Sequence, residues 1–314
     1  TRINTNGWSL RLAIYFLSLM KKLITSILVY ASASLILQAQ SDVAIVEGQR
    51  TLPLAYDVDV VVAGGSLAGV EAAVAAAEQG ASVLLVDSRP YIGYDFCATQ
   101  RLWLEPGEKP ATPLSRELFG DRQVVTPLEV KRALDNALLD HGVQFLTGTF
   151  PAELLTDEDG NPAGLTIVNR SGRQAVRAKV VIDATPDAAL ARQSQAEFQP
   201  FQPGEKEAQF IVVGGEPSEK GNSKKIPGVS FVSKQKQKGS EKTSIREYSI
   251  YQYTLSIPNE ADTFRSRSRA LNLMRSAAYD DGMVDHSERL LFFPDNPIIP
   301  AEAGNDNEGD LSPG

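Results

Sequence analysis

Residues 59–89, DVVVAGGSLAGVEAAVAAAEQGASVLLVDSR, constrain the fold of this chain more than any other segment. Val58–Ala63 has the apolar character of a buried strand, and a glycine-containing turn then opens an alanine-rich helix that reaches Gln79. Val83–Val86 is a second apolar strand. A strand, a helix and a strand within about 30 residues predict two parallel strands joined by a right-handed crossover. The segment therefore predicts an α/β fold built on a parallel sheet.

The turn between the first strand and the helix has the residue types of a dinucleotide-binding loop. Gly64 and Gly69 stand where a tight turn and close helix–strand packing need glycine, whereas Ser66 replaces the glycine that lets a phosphate approach the backbone. A serine hydroxyl is small and can donate a hydrogen bond to a phosphate oxygen. Amides at a helix N-terminus favour an anionic pyrophosphate. The turn thus predicts a phosphate cradle, with these candidates: Gly64, Gly65, Ser66, Leu67, Ala68 and Gly69.

Asp87 ends the second strand, 23 residues after Gly64, where it is placed to accept hydrogen bonds from ribose hydroxyls. The negative charge of Asp87 repels a 2′-phosphate on the ribose, but the positive charge of Arg89 would counter that repulsion. Whether the bound ribose carries a 2′-phosphate therefore stays open. This prediction requires Asp87 to lie beside the turn, next to a hollow that no side chain fills. A role in packing alone is less favoured, because strand, turn, helix and acid all fall in register.

Two more elements of the sheet follow a long connection. Residues 88–126 contain no long periodic element and are interpreted as an excursion over the sheet edge. Thr126 and Pro127 are the N-cap and first residue of a predicted helix that runs to Gly142. Val143–Leu146 is then a third parallel strand.

A β-meander is predicted where many nucleotide-binding domains have a helix. Residues 151–184 contain three short strands, separated by DEDGNP and RSGR turns and ending in the apolar stretch Val180–Ala184. A nicotinamide-binding domain normally has a crossover helix at this point. The meander therefore argues against a nicotinamide-binding domain.

From about Tyr56 to Arg192 the chain resembles the FAD-dependent oxidoreductases with a glutathione-reductase-type FAD fold. GGSLAG is similar to their G-G-[ST]-x-A-G loop, and VVIDATPDAALAR is similar to an A-T-G-D-like turn near the cofactor, with Pro186 in place of glycine. Because proline lacks an amide donor, contact with the cofactor at that turn stays open. The resemblance implies FAD as the cofactor. It also implies that the RPYIGYDFCAT loop and the later turn contact the cofactor; the alternative for the loop is an ordinary surface excursion. The candidate contacts are Ser88, Arg89, Gly93, Tyr94, Ala184 and Thr185.

The second half of the chain has a different character. AQFIVVGG, GVSFVS and EYSIYQYTLSI predict antiparallel strands, joined by lysine-rich loops between Ser218 and Lys242, and KQKQK at 234–238 is interpreted as a solvated loop. ADTFRSRSRALNLMRSAAYDDG predicts a helix. The predicted fold is α/β: a Rossmann-like FAD/NAD(P)-binding domain over 52–195, with parallel sheet, helices and antiparallel β-meander, and an incomplete, mainly β substrate or cap domain over 196–300.

The two termini carry separate predictions. Residues 20–39 have two lysines, an apolar stretch and a small-residue end, which is the layout of a secretory signal peptide cleaved after Ala39. The alternative is a membrane anchor, although the apolar stretch is shorter than the roughly 20 residues that span a bilayer. Residues 1–19 are interpreted as an unstructured leader and 301–314 as a disordered tail. No segment before Gly314 resembles the C-terminal strand of the FAD domain, so we expect a fragment of a longer enzyme.

Composition excludes several classes of function. A net charge of −8 and a pI near 5.0 argue against nucleic acid as a partner. A single cysteine excludes an internal disulfide and multi-cysteine metal sites, and two histidines make a histidine-rich metal centre unexpected. A small-molecule substrate is the expected partner, with no metal and no stable membrane insertion after signal cleavage; the oligomeric state stays open.

No catalytic residue can be assigned from the sequence. His141 is interpreted as a helix cap, His286 as a solvated residue at a helix start, and Cys97 as a buried residue rather than a site of covalent flavin attachment. The leading hypothesis is an exported FAD-dependent oxidoreductase that transfers a hydride or an electron pair between flavin and an organic substrate. The alternatives are an NAD(P)-dependent dehydrogenase and a non-catalytic nucleotide-binding fragment of a longer flavoprotein.

Overall fold

The computed structural model describes residues 51–194, 196–216, 222–236, 243–261, 263–291 and 298–299. The predicted leader, signal peptide and C-terminal tail lie outside the described residues. Among the helices with described positions, none combines the length and apolarity needed to cross a membrane. The described residues form two β-sheets with helices.

The first sheet has six strands in the order β3-β2-β1-β6-β5-β4. The strands are β1 (Leu54–Ala63), β2 (Val83–Val86), β3 (Gln144–Leu146), β4 (Phe150–Thr156), β5 (Pro162–Asn169) and β6 (Gly172–Asp183). Strands β3, β2, β1 and β6 are parallel, whereas β4, β5 and β6 pair antiparallel. The predicted parallel sheet and meander are therefore both confirmed. Strand β6 belongs to both parts, because it pairs with β5 on one side and with β1 on the other.

Five helices accompany this sheet: α1 (Leu67–Glu78), α2 (Tyr94–Cys97), α3 (Pro113–Phe119), α4 (Pro127–Asp140) and α5 (Ala189–Gln193). Helix α4 begins as predicted: the Thr126 hydroxyl oxygen accepts the Glu129 amide, the Glu129 side chain accepts the Thr126 amide, and Pro127 is the first helical residue. The excursion 88–126 contains the two short helices α2 and α3, which have no long sequence period to reveal them.

Both faces of the central strands are covered, which explains why β1 and β2 have continuous apolar sequences. One face packs on α1 and α4 through Val60, Val62, Leu85, Val70, Ala73, Val130, Leu134 and Leu138. The other face packs through Val58, Val61, Leu84, Leu165, Ile167 and Leu190. The turn that follows β1 therefore stands on a sheet that is packed on both faces.

The second sheet is antiparallel, with the order β10-β7-β9-β8. Its strands are β7 (Gly204–Gly214), β8 (Asn222–Lys236), β9 (Thr243–Asn259) and β10 (Met283–His286), and helix α6 (Phe264–Ala278) packs on one face through Ala270, Met274 and Ala278. On the other face Trp103 packs against Ile211 and Val213. The excursion therefore packs against the second sheet as well as in the core on the α1 and α4 face of the first. The mainly β character of this half is confirmed, while the boundary near residue 195 stays a prediction.

Two predictions in this half are wrong. The strand predicted at GVSFVS, residues 228–233, is confirmed, but β8 extends beyond it over 222–236 into residues predicted as lysine-rich loops, and Lys234 pairs with Ile245 of β9. Alternating exposure on an edge strand lets charged side chains face solvent, so the lysines do not prevent strand formation. His286 is not at a helix start: it ends β10, its ring lies 5.5 Å from the Phe210 ring, and it is half-buried.

Candidate functional site

The carboxyl ends of three neighbouring parallel strands meet beside the glycine turn. Strand β1 lies between β2 and β6, and the Gly64 amide donates to the Val86 carbonyl (2.8 Å), while the Ala184 amide donates to the Ala63 carbonyl (2.8 Å). After β1 the chain crosses to β2 on one side of it, and later it returns to pair with β1 on the other side as β6. In open α/β sheets such a switch of direction forms the crevice where ligands bind.

Close contacts with backbone atoms require glycine at two positions of this turn, and a side-chain contact disfavours a larger residue at a third. Gly64 has a left-handed φ of +111°, and a Cβ there would lie 2.3 Å from the Ala184 carbonyl oxygen. A Cβ on Gly69 would lie 2.2 Å from the Gly64 carbonyl oxygen, and one on Gly65 would lie 2.7 Å from Ile92 Cδ1. The turn therefore presses helix α1 directly onto the end of β1, as the sequence predicts for a dinucleotide-binding loop.

Ser66, which departs from the glycine pattern, is the N-cap of α1. Its backbone is extended (φ −75°, ψ 167°), and its Oγ accepts the Gly69 amide at 3.1 Å. A serine at this position stabilises the helix start by about 1 kcal/mol relative to alanine. The hydroxyl proton is not used in that contact, so the residue remains compatible with donation to a ligand oxygen.

Asp87 lies beside the turn, as the prediction requires. Its side chain is buried (3% exposed); Oδ2 accepts the Gly65 amide, and Oδ1 accepts the Arg89 amide at 2.6 Å. Burial raises the pKa of this carboxyl, although the two backbone hydrogen bonds oppose the shift. Asp87 thus fixes the glycine turn to the end of β2 and presents a carboxylate to the crevice.

The hollow next to Asp87 is not open. Tyr94, the first residue of α2, is buried, and its hydroxyl donates to the Ala184 carbonyl at 3.2 Å. The remaining cavity has a volume of about 40 Å³. Its lining residues are Gly64, Val86, Asp87, Ser88, Arg89, Tyr94, Pro151, Thr185 and Pro186. The requirement that no side chain fill the hollow is therefore not met with the Tyr94 ring in this position.

Asp95 occupies the N-terminus of helix α1. Its Oδ2 accepts the Leu67 amide at 3.0 Å, while its Oδ1 has no hydrogen-bond partner among the described residues. Burial raises the pKa of this carboxyl, and the Leu67 hydrogen bond opposes the shift. A carboxylate of the protein itself therefore stands at one of the amides that the sequence assigned to phosphate.

The second turn of the crevice follows β6. Asp183 Oδ1 accepts the Thr185 amide (2.9 Å), and its Oδ2 accepts the Leu190 and Ala191 amides at the start of α5. Thr185 and Pro186 both line the cavity. Pro186 has no amide to offer, and the Thr185 hydroxyl already donates to Asp183 Oδ1 (2.6 Å) and accepts the Ala189 amide (2.8 Å).

The structure brings most of the predicted site residues together. Those lining the cavity are Gly64, Asp87, Ser88, Arg89, Tyr94 and Thr185, whereas Gly65, Ser66, Leu67, Ala68 and Gly69 form the turn and the start of α1 behind it. Ala184 contacts the turn from β6, and Gly93 packs on α4, where a Cβ would lie 2.8 Å from Leu134 Cδ1.

Four residues of the site were missed by sequence reasoning: Asp95, Pro151, Glu288 and Arg289. Asp95 lies in the loop that the sequence singled out, and its charge next to Tyr94 was the available signal. The Arg89 guanidinium pairs with Glu288 (2.8 Å), although about 200 residues separate the two along the chain. No local pattern predicts a contact of that separation.

The remaining candidates are structural. His141 caps α4 as predicted, with Nδ1 2.8 Å from the Ala137 carbonyl oxygen. Cys97 is buried as predicted, and burial raises the pKa of its thiol to about 11. Within the described part of the chain, no three His, Cys, Asp or Glu side chains are grouped so as to hold a metal ion.

The sheet order, glycine turn, terminal acid and meander together define a Rossmann-like dinucleotide-binding fold. Residues 59–213, just under half of the chain, match the family model of the FAD dependent oxidoreductases. FAD is the cofactor that this match assigns to the fold. The residues present fit it in one respect, since the buried Asp87 carboxylate adjoins the glycine turn. In this structure, however, the Tyr94 ring and the Asp95 carboxylate occupy the crevice.

Two solved structures with a similar backbone fold are distant from this chain in sequence. A geranylgeranyl bacteriochlorophyll reductase-like protein from Thermoplasma acidophilum is 16% identical, with 75% of this chain and 66% of that chain covered and a TM-score of 0.43. CabE, an aromatic hydroxylase from angucycline biosynthesis, is 14% identical, with 74% and 52% covered and a TM-score of 0.44. The chain thus spans between half and two thirds of the length of these proteins. No curated protein sequence matches it.

Proposed function

We propose that this chain is an FAD-dependent oxidoreductase that moves a hydride or an electron pair between flavin and a small organic substrate. The observation that carries the proposal is the family match over residues 59–213, which contain the glycine turn and Asp87 in direct hydrogen-bond contact. Flavin supplies the two-electron chemistry when bound, and the protein positions it.

The proposed roles of the residues follow from their geometry. Asp87 accepts hydrogen bonds from the ribose hydroxyls, while the amides at the start of α1 and the Ser66 hydroxyl face the pyrophosphate. A cavity of about 40 Å³ holds little more than one water molecule. Binding of FAD therefore requires the Tyr94 ring and the Asp95 carboxylate to move out of the crevice.

The blocked hollow favours one alternative specifically. If Tyr94 and Asp95 stay in place, the chain is a non-catalytic remnant of a flavoprotein that keeps the fold without the cofactor. An NAD(P)-dependent dehydrogenase is not favoured, since strands β4, β5 and β6 occupy the part of the chain where that class has a crossover helix.

Titration of the purified full chain with FAD separates these possibilities. We expect quenching of flavin fluorescence with a dissociation constant in the micromolar range or below, and a yellow protein after removal of free ligand. NAD and NADP should not compete at equal concentration. A colourless protein that takes up no FAD would contradict the proposal and support the remnant.

We also propose export through the N-terminal segment 20–39. The supporting observation is the order of lysines, apolar stretch and small residues in the sequence. Expression of the full chain in a bacterial host, followed by N-terminal sequencing of the periplasmic fraction, should give a mature chain that begins at Gln40. An uncleaved chain in the membrane fraction would instead support the anchor.

A further inference from the structure

A cavity of about 380 Å³ is lined by residues of helices α1, α3 and α4. It shares no lining residue with the small cavity beside Asp87, so the two are separate. Its volume lies at the lower end of the range of small-molecule sites, about 300–1,000 Å³. Because close-packed protein interiors leave few voids larger than a water molecule, a space of this size is a candidate binding site.

Short apolar side chains from facing helices form the base of this cavity. The lining positions are 71, 74, 75 and 78 on α1 and 133, 136, 137 and 140 on α4, which in both helices is the spacing of one face. Alanines at the middle positions leave a space where longer side chains from the two helices would meet. The apolar lining residues are Val74, Ala75, Pro113, Leu114, Ala133 and Ala137.

The charged part of the lining is acidic. No lysine or arginine of the described chain lines the cavity, whereas four carboxylates do: Glu71, Glu78, Glu117 and Asp140. Of these, Glu78 has its Oε1 3.4 Å from His141 Nε2, a contact that is an ion pair only when the imidazole is protonated. Like charges around one concave surface give it a negative potential, which favours a cationic occupant.

Glu71 offers a specific acceptor to such a cation. The residue is half-buried, and its Oε1 atom is buried without a hydrogen-bond partner among the described residues. A carboxylate oxygen that has lost its water without gaining a donor is unfavourable. An ammonium N–H in the cavity would supply that donor through a charge-assisted hydrogen bond.

The arrangement fits an organic cation better than a metal ion. In the part of the chain that the structure describes, no three His, Cys, Asp or Glu side chains are grouped so as to hold a metal. An amine needs only one well-placed carboxylate, and its apolar body can be buried against the alanine and leucine side chains. Both parts of the lining are then used by a single ligand.

We propose that the cavity between α1, α3 and α4 binds a small monoamine with an apolar body, whose ammonium group donates to Glu71 Oε1. The apolar body packs on Ala75, Leu114 and Ala137, and the other carboxylates attract the cation. This site is independent of the proposed flavin chemistry, because none of its residues lines the crevice at the end of β1.

The test uses 2-phenylethylamine as the probe, with 2-phenylethanol and phenylacetate as neutral and anionic analogues of similar size. Dissociation constants are measured by calorimetry and ligand-observed NMR on the full chain at pH 7. The variants are Glu71→Gln, Ala75→Phe and the control Glu207→Gln. Glu207 is exposed on β7, so its replacement makes the same change in net charge outside the cavity. Thermal unfolding shows whether each variant is folded.

We expect the wild type to bind 2-phenylethylamine with a dissociation constant below about 1 mM, and both analogues at least about 10-fold more weakly. Glu71→Gln should weaken the amine by at least about 10-fold, since the charge-assisted hydrogen bond is lost, and should leave 2-phenylethanol unchanged. Ala75→Phe fills part of the cavity and should weaken both ligands. Glu207→Gln should match the wild type.

A wild type that does not bind the amine, or binds phenylacetate equally well, would overturn the inference. Equal weakening by Glu71→Gln and Glu207→Gln would also overturn it, because the attraction would then come from the overall negative charge. If Glu71→Gln does not fold, Ala75→Phe decides: unchanged amine affinity in that variant would place the ligand outside this cavity.

Discussion

The buried Asp87 carboxylate accepts the Gly65 amide, so the residue that ends β2 is tied directly to the turn that ends β1. The same carboxylate accepts the Arg89 amide at 2.6 Å. The Asp87 side chain therefore holds both the turn after β1 and the turn after β2 in place. Its proposed hydrogen bonds to ribose come in addition to this structural role. This double role determines what its replacement does.

Replacement of Asp87 by alanine should lower both stability and FAD affinity. The Gly65 and Arg89 amides would lose their acceptor, at about 1–3 kcal/mol for each amide that stays buried without a partner. Urea unfolding should show this loss, and the FAD dissociation constant should rise at least about 10-fold. Asp121→Ala, at an exposed aspartate, is the control and should change neither quantity. Unchanged FAD binding in Asp87→Ala would contradict the ribose role.

Replacement of Gly69 by alanine should separate helix α1 from the end of β1. A Cβ there would lie 2.2 Å from the Gly64 carbonyl oxygen, and backbone cannot relax as a side chain can. We expect a loss of about 1–3 kcal/mol of unfolding free energy and loss of FAD binding. Gly80→Ala has no atom within 4 Å of the new Cβ but keeps the strain of φ +83°, so it should cost about 1 kcal/mol and leave FAD binding intact.

Asp95→Asn should stabilise the protein, and more so at higher pH. Burial raises the folded-state pKa of Asp95 above its ordinary value of 3.8, so the folded state holds a proton that the unfolded chain has lost. The contribution of Asp95 to the unfolding free energy therefore falls as the pH rises from the ordinary pKa of 3.8 through the higher pKa of the folded state. The neutral amide removes that dependence and can still accept the Leu67 amide.

Urea unfolding of wild type and Asp95→Asn at pH 4.5 and pH 7.5 measures this difference. The gain should be on the order of 1 kcal/mol at pH 7.5 and smaller at pH 4.5. Comparison of the two proteins removes the contribution of Asp87, whose pKa is also raised. A gain that does not grow with pH would show that the Asp95 carboxyl is not disfavoured by burial.

The Cys97 thiol should be unreactive in the folded protein. Burial raises its pKa to about 11, from an ordinary value of 9.0, and the thiolate is the reactive species. Alkylation by iodoacetamide at pH 8 should therefore be about 100-fold slower in the native chain than in urea, from the thiolate fraction alone. Because the chain has one cysteine, mass spectrometry reports on this residue directly. Rapid native labelling would show that α2 opens readily.

Local sequence determined the elements whose signals are local. The strand–turn–helix–strand order of residues 59–89, the Thr126–Pro127 helix start and the meander were all predictable, because periodicity, capping residues and turn residues act within a few positions. The same reasoning placed Asp87 beside Gly64, since parallel neighbouring strands bring their carboxyl ends together. It failed for the two ends of β8, where lysines on a solvent-facing edge strand resemble a loop.

Only the tertiary structure decided what fills the crevice. Three features depend on contacts between segments up to about 200 residues apart: the position of the Tyr94 ring against Ala184, the Asp95 carboxylate at the start of α1, and the Arg289 guanidinium beside the Tyr94 ring. A local sequence pattern cannot predict contacts between segments so far apart along the chain, because these contacts depend on how the two sheets pack around residues 88–126. The sequence by itself thus specified a dinucleotide cradle, and the packing of the second sheet determined which charges surround it.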